Sequence, residues 1–403
     1  MTNPLLVYFI VAAIIIIGFL GNLFFRKTGW PEILFLIAIG ILIGPVLNIF
    51  SKEEFLPVLP IISTFTLLMI LFRGGMDLNL FEALSGSFRA LFQASAYFTI
   101  GMIGIAFFLY FVMGWEWIDS FMLGSIISQT GAVVIVPMAK RLGVRTETAA
   151  LLSIEATVTS IFNIVFFFAF LETHLGGILD LAEALAFITA KFSVGIVIGA
   201  IMGILWLRVL FFFKKEELIC IVTVGYILIS YVVSETLRGS GALTALALGI
   251  IVGNGEEISR TLRISPATPS FSEVKTYLAR FQGEISFMLR TFFFVLLGLM
   301  FDLSESSLFV ALSYGIPIVG ILLVIRFLVT SSSTWRSPIA SDKRIITGMC
   351  ALGLTPALLS FIPLQYNLPN AYLYTLIVAN IIILTNIITS ISTLKCRRRN
   401  SAQ

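Results

Sequence analysis

The chain has 403 residues, 58% of them apolar and only 12% charged, with a formal net charge of +4, and its mean hydropathy is +1.04. A typical soluble domain is about a quarter charged, and a soluble chain of this length needs far more polar surface. The composition excludes a water-soluble enzyme, a nucleic-acid-binding module, a coiled coil and a disordered chain, and predicts an all-α integral membrane protein.

A spanning helix takes about 20 mostly apolar residues. Thirteen segments qualify: 5–25, 31–50, 56–72, 88–113, 119–139, 147–171, 183–213, 218–236, 239–254, 283–301, 308–330, 344–362 and 371–394. No Lys or Arg precedes the first, so it reads as a true span and not as a cleaved signal, which wants a cationic start. The second holds Gly40, Gly44 and Pro45, and the third ends in Gly75, Met76, Asp77 and Leu78. The fifth is interrupted by Ser128, Gln129, Thr130 and Gly131, with Pro137 further on. The sixth carries Glu155, followed by Thr157, Thr159, Ser160 and Asn163. His174, the single histidine, is placed in a short loop, so no histidine metal site can be built. The ninth holds Gly249, Gly253 and Asn254, and Gly255 to Arg280 reads as a polar loop. The tenth carries Arg290 and runs to Gly298, Asp302 and Leu303. Arg326 lies deep in the eleventh, and the twelfth is interrupted by Gly353, Leu354, Thr355 and Pro356. Cys220, Cys350 and Cys396 lie far apart with no metal spacing and are expected to be free thiols. No cofactor is expected.

Alternating the thirteen spans puts twenty-one of the 26 Lys and Arg residues on one side, among them Lys395, Arg397, Arg398 and Arg399. Only Lys52 and Arg238 fall on the other. Cations collect in cytoplasmic loops, so the C-terminus is expected in the cytoplasm, the N-terminus outside, and the protein in a prokaryotic plasma membrane. The glycine pattern of spans 2 and 3 returns in spans 9 and 10. The offset is seven spans, an odd number, so two units cross in opposite directions. Inverted repeats and interrupted helices in matching positions, here spans 5 and 12 crossing at mid-membrane, are the sequence mark of secondary transporters. Small-residue helix packing gives the same glycine pattern.

Charged groups within spans are costly and functional by default. Glu155 is the one carboxylate read as deep in an apolar run, and Thr159, four residues on, shares its face. Two readings stand. Glu155 is a proton carrier, or it is fixed in a buried ion pair with an arginine. No HExxH, no GxSxG and no catalytic Cys/His pair is present, so an enzyme is not expected.

The run from Gly241 to Asn254, the run from Arg290 to Asp302 and the run from Leu71 to Leu78 resemble motifs of the monovalent cation:proton antiporter superfamily (the sodium/hydrogen exchanger family), in its prokaryotic sodium/proton branch. The resemblance implies alternating access and a homodimer. A core bundle, about 88–171 and 308–394, would move against a dimerisation part, about 1–80 and 183–301. It also implies a site at which a cation, Na⁺ or K⁺, and protons compete. Here the family's Thr-Asp in span 5 is Thr130-Gly131, and its span 6 Asp is Ser160 or, in an alternative register that aligns the run Ser160 to Asn163, Ile164; neither register supplies an aspartate. The acid some members carry at the end of helix 3 is Arg73, and the arginine common in span 12 is Leu352. Glu155 and Arg326 match a structural ion pair of the family, together with Arg290. The site candidates are thus Thr130, Gly131, Glu155, Thr159, Ser160 and Arg73, with helix breaks at Gly131, Gly353, Thr355 and Pro356. The expected function is cation:proton antiport with a degenerate site. The alternative is a transporter-derived protein that moves another solute or serves as a sensor or scaffold.

Overall fold

The computed structural model describes residues 4–28, 30–49, 59–78, 88–177, 181–213, 218–262, 270–301 and 309–400. Lys52, Lys214, Lys215, Arg263, Asp302 and Leu303 lie outside the described residues, as do the side chains of Arg26, Lys140, Arg397, Arg398 and Arg399. The elements are helical: α1 Pro4–Thr28, α2 Glu32–Ile41, α3 Leu59–Asp77, α4 Phe88–Met113, α5 Trp117–Ile127, α6 Ala132–Leu142, α7 Thr146–Gly176, α8 Leu181–Phe212, α9 Ile219–Thr236, α10 Gly241–Gly253, α11 Gly255–Leu262, α12 Ser270–Leu299, α13 Ile316–Ser333, α14 Lys343–Gly348, α15 Leu354–Gln365 and α16 Ala371–Asn400. Short π-helical turns extend α2 over Leu42–Val46, where Pro45 removes a helix donor, and precede α13 over Ala311–Gly315.

Among the described residues, eight helices are long and apolar enough to cross a membrane, and α10 with α11 forms a further candidate bent by 76°. In hydrocarbon every backbone polar group must be paired within the protein, and the helix does this residue by residue. Side-chain hydroxyls are treated the same way: Thr157, Thr159, Thr223, Ser230, Thr385 and Ser390 each donate to the carbonyl four residues back on their own helix. Large apolar side chains such as Phe88, Phe107, Phe111, Ile196 and Val197 point outward, as a lipid-facing surface requires.

Two sequence expectations are corrected. Gly255 to Arg280 is not a loop throughout, because 255–262 and 270–280 are helical. Glu256 and Glu257 in the first turn of α11 and Arg260 in its last complement the helix dipole, so polarity here marks an amphipathic helix. His174 is not in a loop; it occupies the last turn of α7.

The chain forms two compact units. The first comprises Met1–Pro60, Gly86–His174 and Arg290–Gln403, and the second Ile61–Ser85 and Leu175–Leu289. Within the first, α4 packs on α5 and α13, and α15 on α5 and α16. There α2 and α12 approach so closely that a Cβ on Gly40 would lie 2.1 Å from the Val295 carbonyl oxygen, and one on Gly298 2.2 Å from that of Ile37. Within the second, α8, α9 and α10 pack together, and α3 meets α10 in the same manner. A Cβ on Gly75 would lie 2.4 Å from the Leu246 oxygen, and one on Gly249 2.2 Å from that of Phe72. Exchanging span 2 with 9 and span 3 with 10 turns one crossing into the other. The glycine repeat thus has a physical reading: backbone contact, at equivalent places, that any side chain would block.

Candidate functional site

Both interrupted spans are broken, and the breaks touch. Ser128–Gly131 separates α5 from α6, and Met349–Gly353 separates α14 from α15. Thr355 and Pro356, expected within the break, lie just past it in the first turn of α15, where a proline's missing N–H goes unneeded. The Gly131 N–H donates to the Ala351 carbonyl at 2.8 Å. A Cβ on Gly131 would fall 2.6 Å from the Gly353 nitrogen and 2.9 Å from its Cα. Glycine at 131 therefore lets the two extended segments approach this closely.

The helices behind the crossing pair the backbone groups that the breaks set free. On α7, Asn163 Nδ2 donates to the Ser125 and Ile126 carbonyls (2.9 and 2.5 Å), and Thr159 Oγ1 accepts from the Thr130 N–H at 3.4 Å. On α16, Asn386 Nδ2 donates to the Leu352 carbonyl at 3.0 Å. Thr385 and Thr389 accept from the Leu352 and Cys350 N–H groups at 3.3 and 3.2 Å. Two asparagines thus do the same work on the two breaks. An unpaired backbone group in an apolar interior costs several kcal/mol, so these side chains are what make broken helices tolerable.

The crossing is lined by neutral oxygens. Ser160 Oγ donates to Gln129 Oε1 at 2.8 Å and to the Ala156 carbonyl at 2.7 Å. Among the described residues, Thr130 Oγ1 and Asn163 Oδ1 find no hydrogen-bond partner, and both are buried. Gln129, absent from the sequence-derived candidates, is fully buried against Ser160; its place inside a polar interruption of an apolar span was the available signal.

One turn before Thr159 lies Glu155, 0% exposed, against Arg326, 1% exposed. Arg326 Nη1 contacts Glu155 Oε1, and Nη2 donates to Oε2 at 3.3 Å. The guanidinium is further held by the Ile346 carbonyl (3.1 Å to Nε) and by the Tyr97 ring, whose centroid is 4.9 Å from Cζ. Gln93 completes the cluster: its Nε2 donates to Glu155 Oε2 at 3.0 Å, and its Oε1 accepts from Ser333 Oγ. The structure thus brings together Thr130, Gly131, Thr159, Ser160, Glu155 and Arg326.

The other two arginines have partners elsewhere. Arg290 Nη2 lies 2.6 Å from Glu32 Oε1 at the start of α2, both largely buried. Arg73 belongs to the second unit, where its Nε donates to Asp77 at 2.8 Å and its Nη1 to the Ala279 carbonyl. A second buried carboxylate went unread in the sequence. Asp119, in the first turn of α5, is 3% exposed and has its Oδ1 3.0 Å from His174 Nδ1.

Residues 10–394 match the family model described as "Sodium/hydrogen exchanger, transmembrane". The chain is 26% identical over 363 residues to the K(+)/H(+) antiporter NhaP2 of Shewanella oneidensis, covering 86% of this chain and 59% of that protein. It is 24% identical over 388 residues to the K(+)/H(+) antiporter NhaP of Alkalimonas amylolytica, covering 91% of this chain and 62% of that one. It therefore spans about three-fifths of the length of these curated relatives. Its fold matches the structure of the sodium proton antiporter MjNhaP1 from Methanocaldococcus jannaschii at pH 8, with a TM-score of 0.76, 18% identity, and coverage of 99% and 97% of the two chains. A family match over nearly the whole chain, on a multi-pass helical fold with crossing broken helices, makes this chain a member of the sodium/hydrogen exchanger family of membrane transporters.

Proposed function

We propose that the chain is a monovalent cation:proton antiporter, moving Na⁺ or K⁺ against H⁺ by alternating access. The observation that carries this reading is the family match across 10–394, which takes in both broken helices and the helices that serve them. The relatives named above, and a low-affinity Na(+)/H(+) antiporter NhaS1 of Synechocystis matched at 25% identity over 244 residues, support the substrate class. On this reading the bundle 88–171 and 308–394 shifts against 1–80 and 183–301, the chain works as a homodimer in the plasma membrane, and its C-terminus is cytoplasmic.

The cation would be held at the crossing by Thr130, Thr159, Ser160 and Gln129. These give oxygens but no formal charge, Gly131 and Ser160 standing where the family carries aspartates. Neutral oxygens suit a weakly hydrated monovalent ion better than a small, strongly hydrated one. Proton coupling needs a titrating group. The nearest carboxylate on α7 is Glu155, which would have to part from Arg326 to take up a proton.

A second reading, transport or sensing without proton exchange, is favoured by one observation: Ser160 is paired with neutral Gln129, and Glu155 is engaged by Arg326. Proteoliposomes loaded with a pH-sensitive dye separate the two. Addition of K⁺, Na⁺ or Li⁺ collapses an imposed pH gradient on the first reading; on the second, no cation does so at any pH between about 5 and 9.

A further inference from the structure

The broken helices of the first unit are served by side chains, but one helix contact of the second unit leaves polar groups without such service. Arg73 of α3 meets α12 through its Nη1 and the Ala279 carbonyl, and a Cβ on Gly283 would lie 4.0 Å from the same nitrogen. Ala279 and Gly283 therefore mark the face of α12 that looks at α3. Gln282 and Ser286 lie three and seven residues past Ala279 and share that face. Gln282 is 0% exposed, and among the described residues neither its Oε1 nor its Nε2 has a hydrogen-bond partner. Ser286 Oγ, one turn on, is buried and equally unpaired. On α3, Thr66 lies seven residues before Arg73 and so shares its face. Its side chain is fully buried, and its Oγ1 is unpaired as well. All of these residues belong to the second unit.

A carboxamide carries an acceptor oxygen and two N–H donors, and each hydroxyl both donates and accepts. Buried groups of this kind are bonded in folded proteins, because leaving them bare in an apolar interior is costly. The ligand that completes them must offer donors and acceptors together. A bare cation has no donor and would face the Arg73 guanidinium; an anion has no donor for the Gln282 oxygen. Water has both, and a buried water takes about three hydrogen bonds from otherwise unsatisfied groups. We propose that the α3–α12 contact is a buried hydration site, in which a small cluster of water molecules bridges Gln282, Ser286 and Thr66. Arg73, whose side chain is 28% exposed, gives solvent its way in. The two helices are then joined through exchangeable water, where Asn163 and Asn386 join the broken helices directly.

The test is radiolytic footprinting of the full chain in nanodiscs, in water enriched in the heavy oxygen isotope. Hydroxyl radicals formed from a bound water oxidise the side chains beside it, even where bulk solvent does not reach. Met69 is the reporter: it is 0% exposed, three residues past Thr66 and four before Arg73, on the same face of α3. Met122 on α5, equally buried, is the control. Wild-type Met69 should take up heavy oxygen well above the level of Met122, and Gln282→Leu combined with Ser286→Ala should lose that label. Wild-type Met69 labelled no more than Met122, or a label that persists in the double variant, overturns the proposal. If the double variant fails to fold, a wild-type density map fine enough to show water decides. Density at about 2.7–3.2 Å from the Gln282 amide and Ser286 Oγ supports the site, and apolar packing in its place overturns it.

Discussion

Glu155→Leu removes one partner of a pair with no access to solvent. Arg326 would keep the Ile346 carbonyl and the face of Tyr97 but no counter-charge. Gln93 Nε2 would lose its acceptor on Glu155. Breaking a buried pair in this way costs about 3–5 kcal/mol, since the remaining charge is stranded, and the orphaned amide adds about 1 kcal/mol. Arg326→Met alone strands the carboxylate at a similar cost. The double variant has no charge to strand, and replacing a buried pair by apolar side chains is often neutral, so only the Gln93 loss should remain. At an unfolding entropy of about 2.1 cal/mol/K per residue, the single changes should lower the melting temperature in detergent by roughly 4–7 °C, and the double change by no more than about 2 °C. Thermal unfolding followed by intrinsic fluorescence, with the four species in one detergent, gives the coupling directly. Single changes costing under about 1 kcal/mol, or effects that add to within about 0.5 kcal/mol, would refute the buried pair.

Four further substitutions test the close backbone packing at the crossing and between α3 and α10. Gly131→Ala places a methyl group 2.6 Å from backbone that has nowhere to go, so the folded yield on size-exclusion chromatography after mild heating should fall sharply, by an overpacking cost of about 1–3 kcal/mol. The same geometry means that an aspartate cannot be restored at 131 without moving the segment that carries Gly353, so Gly131→Asp should misfold and not regain a carboxylate site. Gly249→Ala should be destabilising for the same reason, its Cβ meeting the Phe72 carbonyl at 2.2 Å, whereas Gly225→Ala, with nothing within 4 Å, should be neutral or stabilising by about 0.5–1 kcal/mol. Melting curves of the two variants side by side check this.

The all-helical, multi-pass character was legible because hydrocarbon imposes one requirement on every crossing residue, apolar side chains on a self-paired backbone. The breaks were legible because Gly131 and Gly353, with polar neighbours, violate that requirement at matching places. What was not legible was pairing over distance. Glu155 and Arg326 are 171 residues apart, and their pairing was named through the family resemblance, since nothing local says which arginine a buried carboxylate meets; Glu32 as the partner of Arg290 had no such pointer and stayed hidden. Asp119 was passed over because it sits beside a span boundary, where a carboxylate normally reaches water. Arg73 was read by its position at a helix end, but Asp77, four residues on, and the Ala279 carbonyl hold it. The amphipathic α11 and the start of α12 were read as loop because their polar residues mask the helical period.

The central claim is coupled exchange through a crossing lined by neutral oxygens. Its most direct measurement is uptake of radiolabelled rubidium and sodium into proteoliposomes with the membrane potential clamped, at equal and at unequal pH across the membrane. Antiport gives uptake against the cation gradient that follows the size and direction of the pH difference and disappears when the two sides are at equal pH. Uptake indifferent to the pH difference, or none at all from a folded and correctly reconstituted protein, would contradict it.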